Sequence, residues 1–319
     1  MKKGNIVAVV CGGPSKEAEV SRSTASCIAT ALRQRYETVH LLELDELIGE
    51  RLRILKVDVV FPALHGPLGE DGSFQGFLEV LALPYVGSGV LASALAMDKV
   101  RAKALFSSLS LPLAPHIVVK QGEELEKVLA EVLGKLGSDV VIKPASQGSA
   151  LGVSFGSSEE TIKKAIKSTF AVEESLLVEK RIWGKETTVA VFENDGLEAF
   201  PVVEIKTPNG SWYDYEHRYT EGLSEHIIPA PYDTNTTARL KEIAMAAHEI
   251  LGCSDLSRAD FIVPEDGEPI LLEVNTMPGM TPTSLYPDAA KVAGWSFPKL
   301  LDHFVERALA RGKLARKGD

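Results

Sequence analysis

The chain has few cysteines. There are three in 319 residues, Cys11, Cys27 and Cys253, with no CxxC pair. An odd count without that spacing disfavours a disulfide framework or a zinc knuckle, and a reducing cytosol fits best. All three read as small apolar core residues. No apolar stretch approaches membrane-spanning length. The opening MKKGNIVAVVCGG imitates a signal peptide. Its apolar run, residues 6–11, is too short for one, and Gly-Gly-Pro ends it, so a soluble cytoplasmic protein is expected. Basic charge is also scarce: 34 Lys and Arg stand against 44 Asp and Glu, a net charge of -10. A broad basic face for nucleic acid is excluded on that balance, although a phosphate pocket needs only a few lysines. There is no GxxxxGK[ST], and no GxGxxG follows the first apolar run, where the chain reads CGGPSKEAEVS. A nucleotide, if bound, must be held by another device. Internal repeats and low-complexity segments are absent.

What is present is an ordinary globular composition, 45% hydrophobic and 24% charged, long enough for two or three domains. The first hundred residues alternate strand and helix signals. Residues 6–11, 39–44 and 57–64 read as strands, and 74–83 and 90–109 as helices. Val20, Thr24, Cys27 and Ala31 form a further helical stripe. Continuous apolar strands between helices imply a mostly parallel, covered sheet. The middle reads as a small α+β unit. It holds a strand at 116–120, a helix at 123–136, two strands around a Gly/Ser loop in 139–156, a charged helix at 158–170 and a strand at 175–182. The last part has strands at 187–192, 258–263 and 270–275 and helices at 237–251 and 297–313. Between them lies a polar, aromatic stretch at about 204–231. A loop that long is functional or disordered, and Trp212, Tyr213, Tyr215 and Tyr219 argue against plain disorder.

The chemistry concentrates in the last two strands. Alternation places Leu271, Glu273 and Asn275 on one face of 270–275, and Leu272 and Val274 on the other. Arg258, Asp260 and Ile262 share a face of 258–263. Pairing through the PEDGEP turn would gather Asp260, Glu273 and Asn275 beside Arg258. Three oxygen donors without histidine or thiol suit Mg²⁺. The plainer alternative is a solvated sheet face carrying an Arg–carboxylate pair. Mg²⁺ with few protein ligands usually sits on a nucleotide. Lys143 ends the strand VVIKP, and the loop GSALG (148–152) follows at once. A small loop with free N–H groups can cover phosphates while a lysine neutralises them. Glu179, Lys180 and Ile182, with Glu186 beyond, put an acid beside a base at a strand end, suited to adenine and ribose or simply to solvent. Taken alone, Lys99 reads as a surface lysine, Glu17 as a helix first-turn carboxylate and His65 as a satisfied loop histidine.

The segments GGPSKEAEVS, ALHGPLGEDGS, AMDK, VIKPASQGSALGV, VEKRI, YDYEHRY, SRADF and LLEVNTMPGMTPTSL occur in this order. With them the chain resembles the D-alanine:D-alanine ligases of the ATP-grasp superfamily, from about Ile6 to the final helix. Pieces such as LLEVN are shared among many ATP-grasp enzymes; EAEVS, HGPLGEDG and PGMTPTSL together are far more specific. The resemblance implies an α/β fold with α+β elements in a three-domain ATP-grasp architecture. An N-terminal parallel α/β substrate domain would span 1–98, a central ATP-grasp subdomain 99–186, and a C-terminal domain carrying the Mg²⁺ site and a mobile loop 187–319. The implied reaction joins two D-alanines for peptidoglycan precursors through a D-alanyl phosphate, with ATP as co-substrate, releasing ADP and phosphate.

The resemblance also implies residue roles. Asp260, Glu273 and Asn275 would hold two Mg²⁺, with Mn²⁺ as an alternative. Lys99 and Lys143 would contact phosphates, and Glu179, Lys180, Ile182 and Glu186 would line the adenosine pocket. Arg258 and the N–H of Gly279 would stabilise the oxyanion. Glu17 would anchor the first D-alanine and, with Ser149 and Tyr219, close the long loop. His65, Glu70 and Arg218 would sit by the substrates, and Ser284 and Leu285 would bind the second carboxylate. Tyr219 favours the dipeptide, because relatives making a D-lactate ester place a histidine near this position. Two departures stand out: Arg218, where lysine is common, and Ala150, where a second serine is common. A homodimer through the N-terminal domain is implied, with neither nucleic acid nor membrane as partner. The competing expectations are an ATP-grasp ligase for another amino acid and a nucleotide-sensing module.

Overall fold

The computed structural model describes residues 1–148, 151–208, 220, 222–265, 267–281 and 284–315, apart from the side chains of 313–315. Strands β1 (Lys3–Cys11), β2 (Tyr36–Glu43) and β3 (Val59–Pro62) form a parallel sheet in the order β2-β1-β3. The apolar run of β1 is explained by cover on both faces. Val7 and Val9 enter one core, Ala8 and Val10 another. Helix α1 (Ala18–Leu32) buries Ala25, Ile28, Ala29 and Leu32, one stripe at helical spacing. Helices α2 (Ile48–Ile54) and α3 (Ser73–Val80) follow β2 and β3.

The helical run expected at 90–109 is two helices, α4 (Val90–Met97) and α5 (Lys99–Ser108). Asp98 between them is extended, and its side chain accepts from the Arg101 N–H, an N-cap. Lys99 therefore opens α5, and its own N–H donates to the Ala145 carbonyl.

The central lobe comprises β4 (His116–Lys120), α6 (Leu125–Leu136), β5 (Val140–Pro144), β6 (Ser154–Gly156), α7 (Glu159–Phe170) and β7 (Ser175–Lys180). Its antiparallel sheet runs β4-β7-β5-β6. Ser158 and Thr161 form a capping box that starts α7. This lobe has a core of its own, built from Val119, Leu129, Val132, Ile142, Ile162, Ile166 and Val178.

The third sheet contains β8 (Lys185–Glu193), β9 (Leu197–Ala199), β10 (Val203–Lys206), β11 (Glu225–Ile227), β12 (Leu256–Val263) and β13 (Ile270–Asn275). Its order is β11-β10-β8-β12-β13, with β9 also on β8. Strands β10 and β11 occupy the two ends of the stretch expected to be loop, and pair antiparallel. Helix α8 (Thr234–Leu251) packs on this sheet, where Leu240, Ile243 and Ala247 meet Phe261 and Leu271. Ala102 and Phe106 of α5 join the same core. Helices α9 (Leu285–Val292) and α10 (Phe297–Ala315) close the chain, and α10 lies against α1 and β3. The first and third sheets thus share one core, in which Val7, Val9 and Phe61 lie with Phe192, Tyr286, Leu300 and Phe304.

One expectation about β13 is overturned. Asp260 pairs with Glu273, but the next residue, Phe261, pairs with Leu271, so Leu272 is an inserted bulge residue. Leu271 and Val274 both bury in the core beside Ala259 and Phe261. Leu272 and Glu273 both turn to the cavity described below. Leu271 therefore does not share a face with Glu273 and Asn275; the bulge breaks the two-residue period between them.

Candidate active site

A cavity of about 470 Å³ separates the central lobe from the third sheet. Lys99, Lys143, Glu179, Lys180, Ile182 and Glu186 all line it, with Glu273. Val141, Leu151, Phe155, Trp183, Ile262 and Leu272 give it apolar walls, a mix suited to a flat heterocycle with a charged tail. At one side Arg181 stacks on Phe155 and Trp183, its guanidinium carbon 4.6 and 3.8 Å from the ring centres.

One charged cluster of the lining gathers Lys99, Lys143, Glu179 and Glu273. Lys99 Nζ donates to the Gln147 carbonyl at 2.6 Å and stands 3.4 Å from Glu273. Lys143 Nζ meets Glu179 Oε2 at 2.6 Å, and Lys103 Nζ meets Glu179 Oε1 at 2.7 Å. Burial disfavours the Glu179 carboxylate, but Lys143 and then Lys103 overcome that and hold its pKa at about 2. Burial likewise opposes the charge on Lys143, yet the Glu179 carboxylate raises its pKa. Lys103 escaped the sequence reading. Its one signal was the i,i+4 spacing from Lys99, which sets both on one helix face. Glu179 was expected in the adenosine pocket and lines the cavity, while both of its oxygens face lysines.

The hairpin of β12 and β13 brings Arg258 opposite Asn275 and Asp260 opposite Glu273. Arg258 grips Asp260 with both ends of its fork, Nε to Oδ1 and Nη2 to Oδ2, each at 2.8 Å. Thr188 Oγ1 donates to Asp260 Oδ1 at 2.7 Å, and Asn275 Oδ1 accepts from the Met277 N–H at 2.9 Å. Among the described residues no group of three or more His, Cys, Asp or Glu is clustered for a metal. Two carboxylates and an amide oxygen beside the charged cluster still suit Mg²⁺, which takes most of its shell from phosphate and water. The donor set fits.

Next to this hairpin, Ser284 precedes α9. Its Oγ accepts from the Thr281 N–H at 3.0 Å and lies 2.8 Å from Thr281 Oγ1. A Cβ on Gly279 would come 3.2 Å from that Oγ. Leu285 is buried at the first turn of α9.

The loops of the first sheet complete the site. Glu17 is the N-cap of α1 rather than a first-turn residue, and is buried. Its carboxylate lies between two glycines: a Cβ at Gly66 would stand 2.8 Å from Glu17 Oε2, and one at Gly148 3.5 Å. Gly66 has φ +73, so the turn needs glycine. The Gly66 N–H donates to Glu70 Oε2 at 2.6 Å. His65 is buried, with Nε2 3.3 Å from Thr24 Oγ1 and Nδ1 3.9 Å from Glu70 Oε1. Burial lowers the His65 pKa, but Glu70 and Glu17 more than offset it and the net shift is upward; Arg258 opposes them from β12. Glu17, His65, Glu70 and Arg258 thus belong to one electrostatic neighbourhood. Ser149, Arg218 and Tyr219, with Ala150 and His217, lie outside the described residues.

A nucleotide-sized cavity between an antiparallel lobe and a second antiparallel sheet, floored by lysines and edged by carboxylates, defines the ATP-grasp class. The similarities to known proteins narrow this. The family described as D-ala D-ala ligase C-terminus matches residues 105–306, and D-ala D-ala ligase N-terminus matches 45–88. A D-alanine–D-alanine ligase of Pelotomaculum thermopropionicum is 40% identical over 98% of this chain and 99% of its own. That of Halalkalibacterium halodurans is 43% identical over 96% and 99%. The crystal structure of the Bacillus anthracis D-alanine–D-alanine ligase complexed with ATP superposes with a TM-score of 0.85 at 29% identity, covering 98% of this chain and 100% of that one. The chain belongs to the D-alanine–D-alanine ligase family.

Proposed function

We propose that the chain joins two D-alanines to D-alanyl-D-alanine, consuming ATP, for peptidoglycan precursor synthesis. The observation that carries this reading is the meeting of three elements: the lysine-floored cavity, the Arg258–Asp260/Glu273 hairpin and the Glu17–His65 loops. ATP lies in the cavity, its adenosine against Glu179, Lys180, Ile182 and Glu186 and its phosphates toward Lys99 and Lys143. Asp260, Glu273 and Asn275 would hold two Mg²⁺, whose chemistry there would be neutralisation of phosphate charge. Glu17 takes the ammonium of the first D-alanine, in the neighbourhood of His65 and Glu70. A carboxylate is a poor electrophile, so its oxygen first attacks the γ-phosphorus, giving D-alanyl phosphate and ADP. The amine of the second D-alanine, seated by Ser284 and Leu285, then attacks the acyl carbon. Arg258 and the Gly279 N–H stabilise the oxyanion before phosphate leaves. Positioning and charge neutralisation carry most of the rate. In this reading Glu17, Ser149 and Tyr219 close the long loop over the site, Tyr219 favouring amine over hydroxyl acceptors, and Arg218 serves substrate binding.

The test is incubation with ATP, Mg²⁺ and D-alanine, following phosphate release and identifying the product by mass. Parallel arms use L-alanine, and D-alanine with D-lactate. D-alanyl-D-alanine from D-alanine alone is expected. Turnover only with another amino acid would discard the substrate assignment and keep the nucleotide site.

The domain division 1–98, 99–186 and 187–319 belongs to the same proposal, supported by three separate sheets; within the second span, α5 packs on the core of the third sheet rather than on that of the central lobe. So does cytoplasmic location; among the described residues no helix is long and apolar enough to cross a membrane. A homodimer is supported by an apolar surface on α2, α3 and α4. Ile54, Val80 and Leu91 are 65%, 86% and 71% exposed there, on helices packed together through Gly49, Phe77 and Val90. Val80→Asp should shift the sedimenting species to monomer; an unchanged dimer would move the interface elsewhere.

A further inference from the structure

Lys103 is buried, 1% exposed, in a helix whose neighbours belong to another body than its partner. Ala102 and Phe106 of α5 pack into the core of the third sheet, with Leu240 and Phe261. Glu179 is the penultimate residue of β7, whose Val178 packs in the separate core of the central lobe. The Lys103–Glu179 contact at 2.7 Å therefore crosses the boundary between the two lobes at the charged cluster of the cavity. Lys103 itself does not line the cavity, whereas Glu179 and Lys143 do.

Charge counting gives this contact a purpose. A buried carboxylate facing Lys143 alone would form a neutral pair and leave little field for a phosphate. With a second ammonium on its far oxygen, the set of two lysines and one carboxylate carries one net positive charge. The surplus is felt at Lys143, whose side chain is 16% exposed toward the cavity, while Lys103 is sealed behind it. The contact also fixes the Glu179 side chain from outside its own lobe, and through it the Lys143 ammonium at 2.6 Å.

We infer that Lys103 is a positioning residue for the nucleotide: it holds and neutralises Glu179 from across the lobe boundary, so that Lys143 is free to serve the ATP phosphates. This rests on the nucleotide site proposed above. It assigns Lys103 no contact with substrate.

The test compares Lys103→Met, Glu179→Gln, the double variant and Lys143→Met. For each, kcat, the KM for ATP, the KM for D-alanine and the melting temperature are measured on the full chain. Lys103→Met should lower kcat/KM for ATP by roughly a hundredfold, the scale of a misplaced catalytic group, with the KM for D-alanine within about twofold of wild type. In the Glu179→Gln background the same substitution should change kcat/KM for ATP by no more than about threefold, because the carboxylate it serves is gone. Unchanged ATP kinetics in Lys103→Met, or an equal loss with and without the Glu179 carboxylate, would overturn the inference. Wild-type ATP kinetics in Lys143→Met would overturn the nucleotide-site reading and this inference with it. If Lys103→Met is not recovered folded, Lys103→Gln, one atom shorter than lysine, keeps a polar end, and the same outcomes decide.

Discussion

Glu273→Gln removes one negative charge and almost no volume. The side chain is about one-third exposed, and its contact with Lys99 is 3.4 Å long. An ion pair of that kind contributes less than about 1 kcal/mol to stability. Gln keeps the packing of Leu272 and Val274 on either side, so the melting temperature should move by only a few degrees. Turnover is another matter. Glu273 stands opposite Asp260 in the register, and only two carboxylates serve the metal in the proposed site. Losing a preorganised electrostatic group at developing charge costs about 2.7–4 kcal/mol, or roughly 10²–10³ in kcat. The assay is phosphate release at saturating ATP and D-alanine over a range of Mg²⁺, with a thermal melt of the same sample. The Mg²⁺ concentration giving half-maximal rate should rise as kcat falls. Turnover within about threefold of wild type, in a folded sample, would refute the metal assignment.

Three further outcomes follow from the geometry. Asp255 is fully buried, accepts from the Gly87 N–H at 2.8 Å, and is held by Arg307 and Arg311 of α10, so Asp255→Ala should cost about 3–5 kcal/mol and lower Tm by roughly 10 °C in a calorimeter. Glu179 has its pKa depressed to about 2 from an ordinary 4.5, so its contribution to stability is complete above 4.5 and is lost as pH falls through 2. Denaturant titrations across that window should show an acid limb that Glu179→Gln flattens; equal slopes in both proteins would count against it. Gly66→Ala places a methyl 2.7 Å from Ser15 Oγ and 2.8 Å from Glu17 Oε2 in a left-handed turn, costing about 1–2 kcal/mol in backbone strain alone. It should raise the KM for D-alanine with little change in the KM for ATP, and a matched rise in both would argue against Glu17 as the amino-acid anchor.

Much of the architecture was legible in the residues. The strands of the first sheet announce themselves because both of their faces are covered, which leaves an unbroken apolar run at 6–11. Asp260 and Glu273 were legible as neighbours because a turn and two alternating strands suffice to pair them. The bulge at Leu272 was not, since an inserted residue leaves no mark in composition; only the partner strand reveals it. Strands β9, β10 and β11 were hidden by their length, three or four residues each, too short for a period to show. Lys103 was missed for a different reason. A buried lysine and an exposed one read alike until the carboxylate that pays for its burial is found, and Glu179 lies far away in the chain.

The shared core of the first and third sheets bears on how the chain is made. Val7, Val9 and Phe61 are covered by Leu300, Leu301, Phe304 and Val305 of α10. Roughly 240 residues separate Phe61 from Leu300, about 12–50 s of synthesis at about 5–20 residues per second. Throughout that interval the nascent first sheet keeps one apolar face without its final helix. The central lobe, whose core draws on no residue outside itself, has everything it needs to fold while the first sheet waits. A ribosome stalled before residue 297 would therefore present a finished central lobe beside an open hydrophobic face, the kind of surface that holdase chaperones bind and that aggregates when they do not.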